Sequence, residues 1–251
     1  MYKIFLTVGI IIGSALVKML SMKKTIFASL IVMIAAAVVV GCKNDNNATT
    51  QPASTFGVVN ASPDAGTLDV YMNGAPLVRS LMYGADTGYF TVYPGTYTLS
   101  FADSASTTSL LDQSVSFSPG VTYSVFAIDS VSHLQTAVVM DSVSAPSDDS
   151  VATRFLNFSP NAPALDLAIN GNVVFSGRNY NDVAANPAAA RFSYLTAGTY
   201  TLELRAAGTP TVLYTTSVTI SGGKIYTFYA QGFAGETGTS PLTIGTLVHN
   251  E

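Results

Sequence analysis

The chain has 251 residues, one cysteine, two histidines, no tryptophan, eleven basic residues and fifteen acidic ones. Lys3, Lys18, Lys23 and Lys24 precede Cys42 and every acidic residue follows it, so the part from Cys42 onward sets seven bases against fifteen acids. That balance argues against nucleic acid as a partner and against electrostatic docking to anionic lipid. A lone cysteine forbids an intramolecular disulfide, so stability has to come from burial.

The first element is apolar. From Met22 the order is MKKTIFASLIVMIAAAVVVGC: two lysines, an apolar stretch from Ile26 to Val40 broken only by Ser29, then small residues and Cys42. These are the charged, apolar and small-residue regions of a secretory signal. The apolar stretch is shorter than the ~20 residues a membrane-spanning helix needs. Val39, Val40, Gly41 and Cys42 resemble the lipobox of bacterial lipoproteins. That resemblance implies cleavage between Gly41 and Cys42, lipidation of the Cys42 thiol, and a partner in the membrane reached through acyl chains. Two or three chains anchor stably where one is marginal, at ~0.8 kcal/mol per buried methylene. Under that resemblance Lys43 is compatible with sorting to the outer membrane, and a lipid-anchored place in the bacterial cell envelope is the expectation. Residues 1–21 hold a second apolar stretch, FLTVGIIIGSALV, and Met22 is the simpler translational start.

KNDNNATTQPAS at 43–54 has no large apolar side chain and reads as a tether. Beyond it the chain repeats. NASPDAGTLDVYMNG at 60–74 aligns with NFSPNAPALDLAING at 157–171, and GTYTL at 95–99 with GTYTL at 198–202. The second copy carries extra residues, placed around NDVAANPAAA at 181–190. These features divide the chain into a signal at 1–41, a lipidated tether at 42–54, repeat one at 55–141, a linker at 142–152 and repeat two at 153–250.

Within each repeat the pattern is strand throughout. The large apolar residues alternate: Leu68, Val70 and Met72 in the first copy, and Leu165, Leu167 and Ile169 in the second. Asn73-Gly74 and Asn170-Gly171 follow, a pair suited to the left-handed torsions of a type I′ hairpin turn. TYTLSF, SVSF, YSVFAID and TAVVMD, with their second-copy counterparts, bring the count to about seven or eight strands per repeat. Short strands at this spacing predict an all-β chain with two tandem Ig-like antiparallel β-sandwiches. The motif N-x-S-P-x-A-x-x-L-D-x-x-x-N-G, the later tyrosine, P-G-T-Y-T-L and the closing Gly-x-x-Tyr resemble the bacterial domain of unknown function 4397. That resemblance implies secreted or surface-anchored tandem domains and carries no established activity.

No constellation for catalysis, cofactor binding or metal ligation stands out. Asp69 and Asp166 fall on the outward faces of their strands but in different repeats, so local hydrogen bonding is the simpler role. Asn60, Pro63, Asn157 and Pro160 belong to the repeated loop and read as scaffold, like Asn73, Gly74, Asn170 and Gly171. His133 and His249 lack partners at zinc-ligand spacing. Tyr71, Tyr93 and Tyr194 are candidates for solvent-facing recognition. The sequence therefore points to a non-enzymatic binding or adhesion protein for an unknown protein or glycan, with loop 181–190 carrying recognition. A structural or assembly role in the envelope is the alternative, and a hydrolase a distant third.

Overall fold

A computed structural model describes residues 51–249 apart from Thr107 and Ser142. Cys42, the cleavage position at Gly41 and the tether up to residue 50 lie outside the described residues. The first repeat contributes β1 (Ser54–Asn60), β2 (Leu68–Met72), β3 (Ala75–Leu81), β4 (Asp86–Val92), β5 (Gly95–Asp103), β6 (Ser109–Phe117), β7 (Thr122–Ile128) and β8 (Gln135–Met140). The second contributes β9 (Ser150–Asn157), β10 (Leu165–Ile169), β11 (Asn172–Arg178), β12 (Ser193–Thr196), β13 (Gly198–Ala206), β14 (Val212–Ile220), β15 (Ile225–Gln231) and β16 (Thr243–Val248). Each repeat folds as two four-stranded sheets. The orders are β4-β1-β7-β8 and β3-β2-β5-β6 in the first, and β12-β9-β15-β16 and β11-β10-β13-β14 in the second.

The predicted sandwiches are present, with one departure from an antiparallel plan. β1 pairs with β7 in parallel, as β9 does with β15. Alternation explains each core. Phe56, Val58, Leu68, Val70, Leu99, Phe101, Val115 and Val125 meet between the two sheets of the first repeat. Phe155, Leu165, Leu167, Leu202, Leu204 and Phe228 do the same in the second. The turns are as the dipeptides predict: Asn73 and Gly74 have φ of 50° and 79°, Asn170 and Gly171 of 49° and 80°.

A third apolar cluster joins the repeats. Val59, Ala61, Phe126, Ile128, Ala137 and Val139 project from the outer face of the β4-β1-β7-β8 sheet. They meet Leu156, Phe158, Tyr229 and Leu247 from the matching face of the second repeat. Phe126 meets Phe158 at a tilt, with ring centroids 4.8 Å apart, and Tyr229 edge-on at 5.2 Å. The repeats thus form one four-layered body, compact from Gln51 onward. Tight packing at this seam has a backbone requirement: a Cβ at Gly245 would overlap the Tyr229 ring that lies across it.

Candidate functional site

The scaffold residues come first, because they show what is not available for binding. Asn60 Nδ2 donates to the carbonyls of Gly66 and Leu81, both at 3.1 Å, while its Oδ1 accepts the Ser62 amide at 3.2 Å. Asn157 does the same toward Arg178 and Ser159. Ser62 and Ser159 donate to the carbonyls of Asp129 and Gly232 at 2.6 Å. Pro63 presents its carbonyl to the Ser240 hydroxyl of the other repeat, and Pro160 is half-buried in the matching loop. Asn73 and Asn170 each accept a cross-strand amide, from Thr98 and Thr201, at 2.9 Å. The repeated motif is consumed by its own backbone.

Asp69 and Asp166 do face away from the cores, but neither is open to solvent. Asp69 accepts from the Ser80 amide at 2.9 Å, the Ser104 hydroxyl at 2.8 Å and the Arg79 guanidinium at 2.7 Å. The Ser80 amide leads the causes that hold its carboxyl below the usual value. Asp166 accepts the amides of Gly177 at 2.7 Å and Gly208 at 2.9 Å. Each aspartate pins the bulged edge strand of its sheet, β3 or β11, and the two do not form one site.

A polar cluster that sequence reasoning missed lies in the seam. Arg154 is fully buried and pairs through Nη2 with Asp141 Oδ1. Its Nε donates to Thr227 Oγ1 at 2.8 Å and its Nη1 to the Met140 carbonyl at 2.8 Å. Its guanidinium carbon stands 4.7 Å from the centre of the Phe192 ring. Asp141 Oδ2 accepts from Ser124 at 2.7 Å and Tyr89 at 3.0 Å. His249 closes the ring, with Nδ1 against the Tyr89 hydroxyl and Nε2 2.6 Å from Thr227 Oγ1. With a neutral imidazole, donor and acceptor counting satisfies every member when Nδ1 carries the proton. Burial alone would raise the Asp141 carboxyl, but the His249 hydrogen bond and the Arg154 charge hold it below its ordinary value. Burial depresses the Arg154 guanidinium against the pull of Asp141, and it pushes the Tyr89 phenol up.

This ring is built from matching positions of the two repeats. Strand register sets Gly57 beside Ser124 in one repeat and Arg154 beside Thr227 in the other. Likewise Asp141 follows Met140, the partner of Tyr123, and His249 follows Val248, the partner of Tyr226. Thr227, His249 and Asp141 line up as a hydroxyl, an imidazole and a carboxylate, the order of a nucleophilic triad. Thr227 is fully buried and already accepts from Arg154, so a substrate has no approach to that hydroxyl. The signal that could have found the cluster was Arg154 itself, one charge in the otherwise apolar and small VATRFLN strand.

Beside the seam a cleft opens, with a volume of about 510 Å³. One wall is β8, through Val138, Val139 and Met140, with Val143 just beyond. The other is the extra segment of the second repeat and the start of β12, through Val183, Pro187, Ala190, Arg191, Phe192 and Tyr194. That segment forms two 3-10 turns, Asp182–Ala184 and Pro187–Ala190, the second capped where Asn186 Oδ1 accepts the Ala188 amide. Val183 and Ala189 bury themselves in the seam, so the loop predicted to carry recognition is partly a strap between the repeats. Tyr180, just before it, donates to Asp129 Oδ2 at 3.0 Å across the same seam. Met140 and Tyr194 remain 57% and 59% exposed. Of the other tyrosines predicted to face solvent, Tyr93 is exposed and Tyr71 is half-covered under Arg79. His133 is exposed, and among the described residues its ring meets Ser130 and Ser132. Among the described residues no group of His, Cys, Asp and Glu is placed to hold a metal ion.

No curated protein matches the sequence. Similar solved structures include one titled for alpha-glucan binding by a streptococcal virulence factor, 11% identical, TM-score 0.24, covering 70% of this chain and 92% of that one. Another describes alpha-glucan recognition by family 41 carbohydrate-binding modules from streptococcal virulence factors, at 11%, 0.22, 70% and 92%. A third is a family 26 carbohydrate-binding module from Eubacterium rectale Amy13K with maltoheptaose, at 10%, 0.26, 78% and 97%. The profile described as "Domain of unknown function (DUF4397)" matches twice, over residues 54–168 and 154–247, and so accounts for both repeats. The chain belongs to the DUF4397 family, with two copies of its domain in tandem.

Proposed function

We propose that this is a lipid-anchored protein of the bacterial envelope whose two repeats form one non-enzymatic binding unit, with the ligand seated in the cleft between β8 and residues 187–194. The observation that carries this reading is the cleft: exposed Val138, Met140 and Tyr194 gather around one hollow, while the repeated motif is occupied by internal hydrogen bonds. Gathered apolar exposure with a concave shape is how binding surfaces differ from scattered surface hydrophobics. Burial of Thr227 and Ser124, and their engagement by Arg154 and Asp141, supports a role without turnover. A structural role in the envelope would use the same cleft if the ligand is another envelope protein.

The anchor rests on the lipobox and Cys42. Cys42→Ser is expected to leave both sandwiches folded while abolishing fatty-acid incorporation and cleavage; unchanged processing and membrane fractionation would refute it. Binding is tested by screening the purified protein against glycan and matrix-protein arrays, beside Met140→Glu and Tyr194→Ala. Loss of the captured signal in both variants, with unfolding midpoints unchanged, supports the cleft. Equal capture by all three proteins rules it out. Trimming 181–190 is the wrong test, because Val183 and Ala189 hold the seam.

A further inference from the structure

Resting on the cleft as the binding site, we propose that its ligand is an extended peptide with alternating apolar side chains and a carboxylate, added as a strand along β8. Among the described residues β8 is an edge strand, paired on one side, to β7. Its register from Tyr123↔Met140 to Ile128↔Gln135 is unbroken by any bulge. The Asp141 amide donates to the Thr122 carbonyl, so the backbone groups of Asp141, Val139 and Ala137 turn toward β7. Those of Met140, Val138 and Thr136 therefore point out from the edge. The Met140 carbonyl confirms this, since it reaches Arg154 Nη1. Among the described residues, the amides of Met140 and Val138 and the carbonyls of Val138 and Thr136 meet no partner and remain on offer. Natural edges are blunted with charge, proline or a bulge; QTAVVM has none of these.

Two observations say what should cover this edge. The cleft continues the established seam, since Val139 and Val183 line both, so an apolar occupant extends a surface already built for apolar packing. The one charged side chain in its lining is Arg191, exposed, with no side-chain partner among the described residues, on a chain whose remainder is acidic. A guanidinium there complements a carboxylate on the ligand. Main-chain bonds supply affinity in strand addition, and pockets for alternate side chains supply specificity. A polysaccharide would leave the edge amides without regularly spaced carbonyls to meet them.

The test is selection of random dodecapeptides displayed on phage against the full chain, followed by titration of the resynthesised winners. The expected winners alternate apolar residues and carry Asp or Glu. N-methylation at every second residue should abolish binding. Val138→Pro deletes one outward-facing amide without touching the β7 ladder, and is expected to weaken binding about tenfold at an unchanged unfolding midpoint. Arg191→Gln should weaken binding severalfold and flatten its salt dependence. Winners that bind Val138→Pro as tightly as the parent would overturn the proposal. So would enrichment of no peptide, or maltoheptaose binding that Met140→Glu removes. Self-association of the parent that Val138→Pro abolishes would make a second copy the occupant and also overturn it. If array capture still depends on Met140 while peptides fail, the cleft stands as the site and the strand reading alone falls.

Discussion

Arg154 and Asp141 show how a single pair of charges can be kept in a buried seam. Each is expensive to bury alone, and each has further partners: Arg154 donates to Thr227 and to the Met140 carbonyl, and Asp141 accepts from Ser124 and Tyr89. Asp141→Leu leaves the guanidinium without its counter-charge and is expected to cost about 3–5 kcal/mol in urea unfolding. Adding Arg154→Met to that variant should recover more than half the loss; a double variant no more stable than the single one contradicts this account. The acid limb carries a second prediction. The Asp141 carboxyl titrates lower in the folded chain than in the unfolded one. Its stabilisation is therefore complete above the ordinary carboxylate value of about 3.9 and fades as pH falls through the lower folded value. Asp141→Asn should flatten the stability profile below about pH 4, where carboxylates titrate; an unchanged slope there would count against the pair. The charges themselves were plain in the sequence. Their meeting was not, because they belong to different repeats and no local pattern records a contact between separate sheets.

At the level of elements, period-two alternation and the two Asn-Gly turns gave the strands and hairpins directly, since both follow from local backbone geometry. The alternation also gave the outward direction of Asp69 and Asp166. It could not give their burial, which comes from the bulges at Ser80 and Gly177 and the turns at Ser104 and Gly208 closing over them. Ser80 holds φ at 54° where its counterpart Gly177 holds 64°. A left-handed residue other than glycine is strained by roughly 1–2 kcal/mol. Ser80→Gly keeps the amide that Asp69 accepts, and is expected to raise stability by about 1 kcal/mol in thermal unfolding, within that same range; a lower midpoint would contradict this. Gly245→Ala should destabilise, because the Tyr229 ring occupies the space of the added methyl.

For the whole molecule, the sequence led to two sandwiches joined by a linker, and the structure adds that they share a core. The hint lay in YSVFAI and IYTFYA, which are apolar on both faces, as strands buried on both sides are. β9 begins at Ser150, so part of the stretch read as linker is strand. The shared core makes cooperative behaviour the expectation: calorimetry should show one unfolding transition. Phe126→Asp, which places a charge among Phe158 and Tyr229, should split it into two. Two transitions in the parent protein would mean that the seam does not couple the repeats.

The cleft is where that shared core reaches the surface, and the most direct test of its role is photocrosslinking in intact cells. A benzophenone amino acid is placed at Met140 in the cleft, and as a control at Ser114 on the exposed β6 face. The account predicts a discrete crosslinked species from position 140, absent from position 114 and lost when Tyr194→Ala is added. Identical crosslinks from both positions, or none from position 140 in the cells that make the protein, would contradict it.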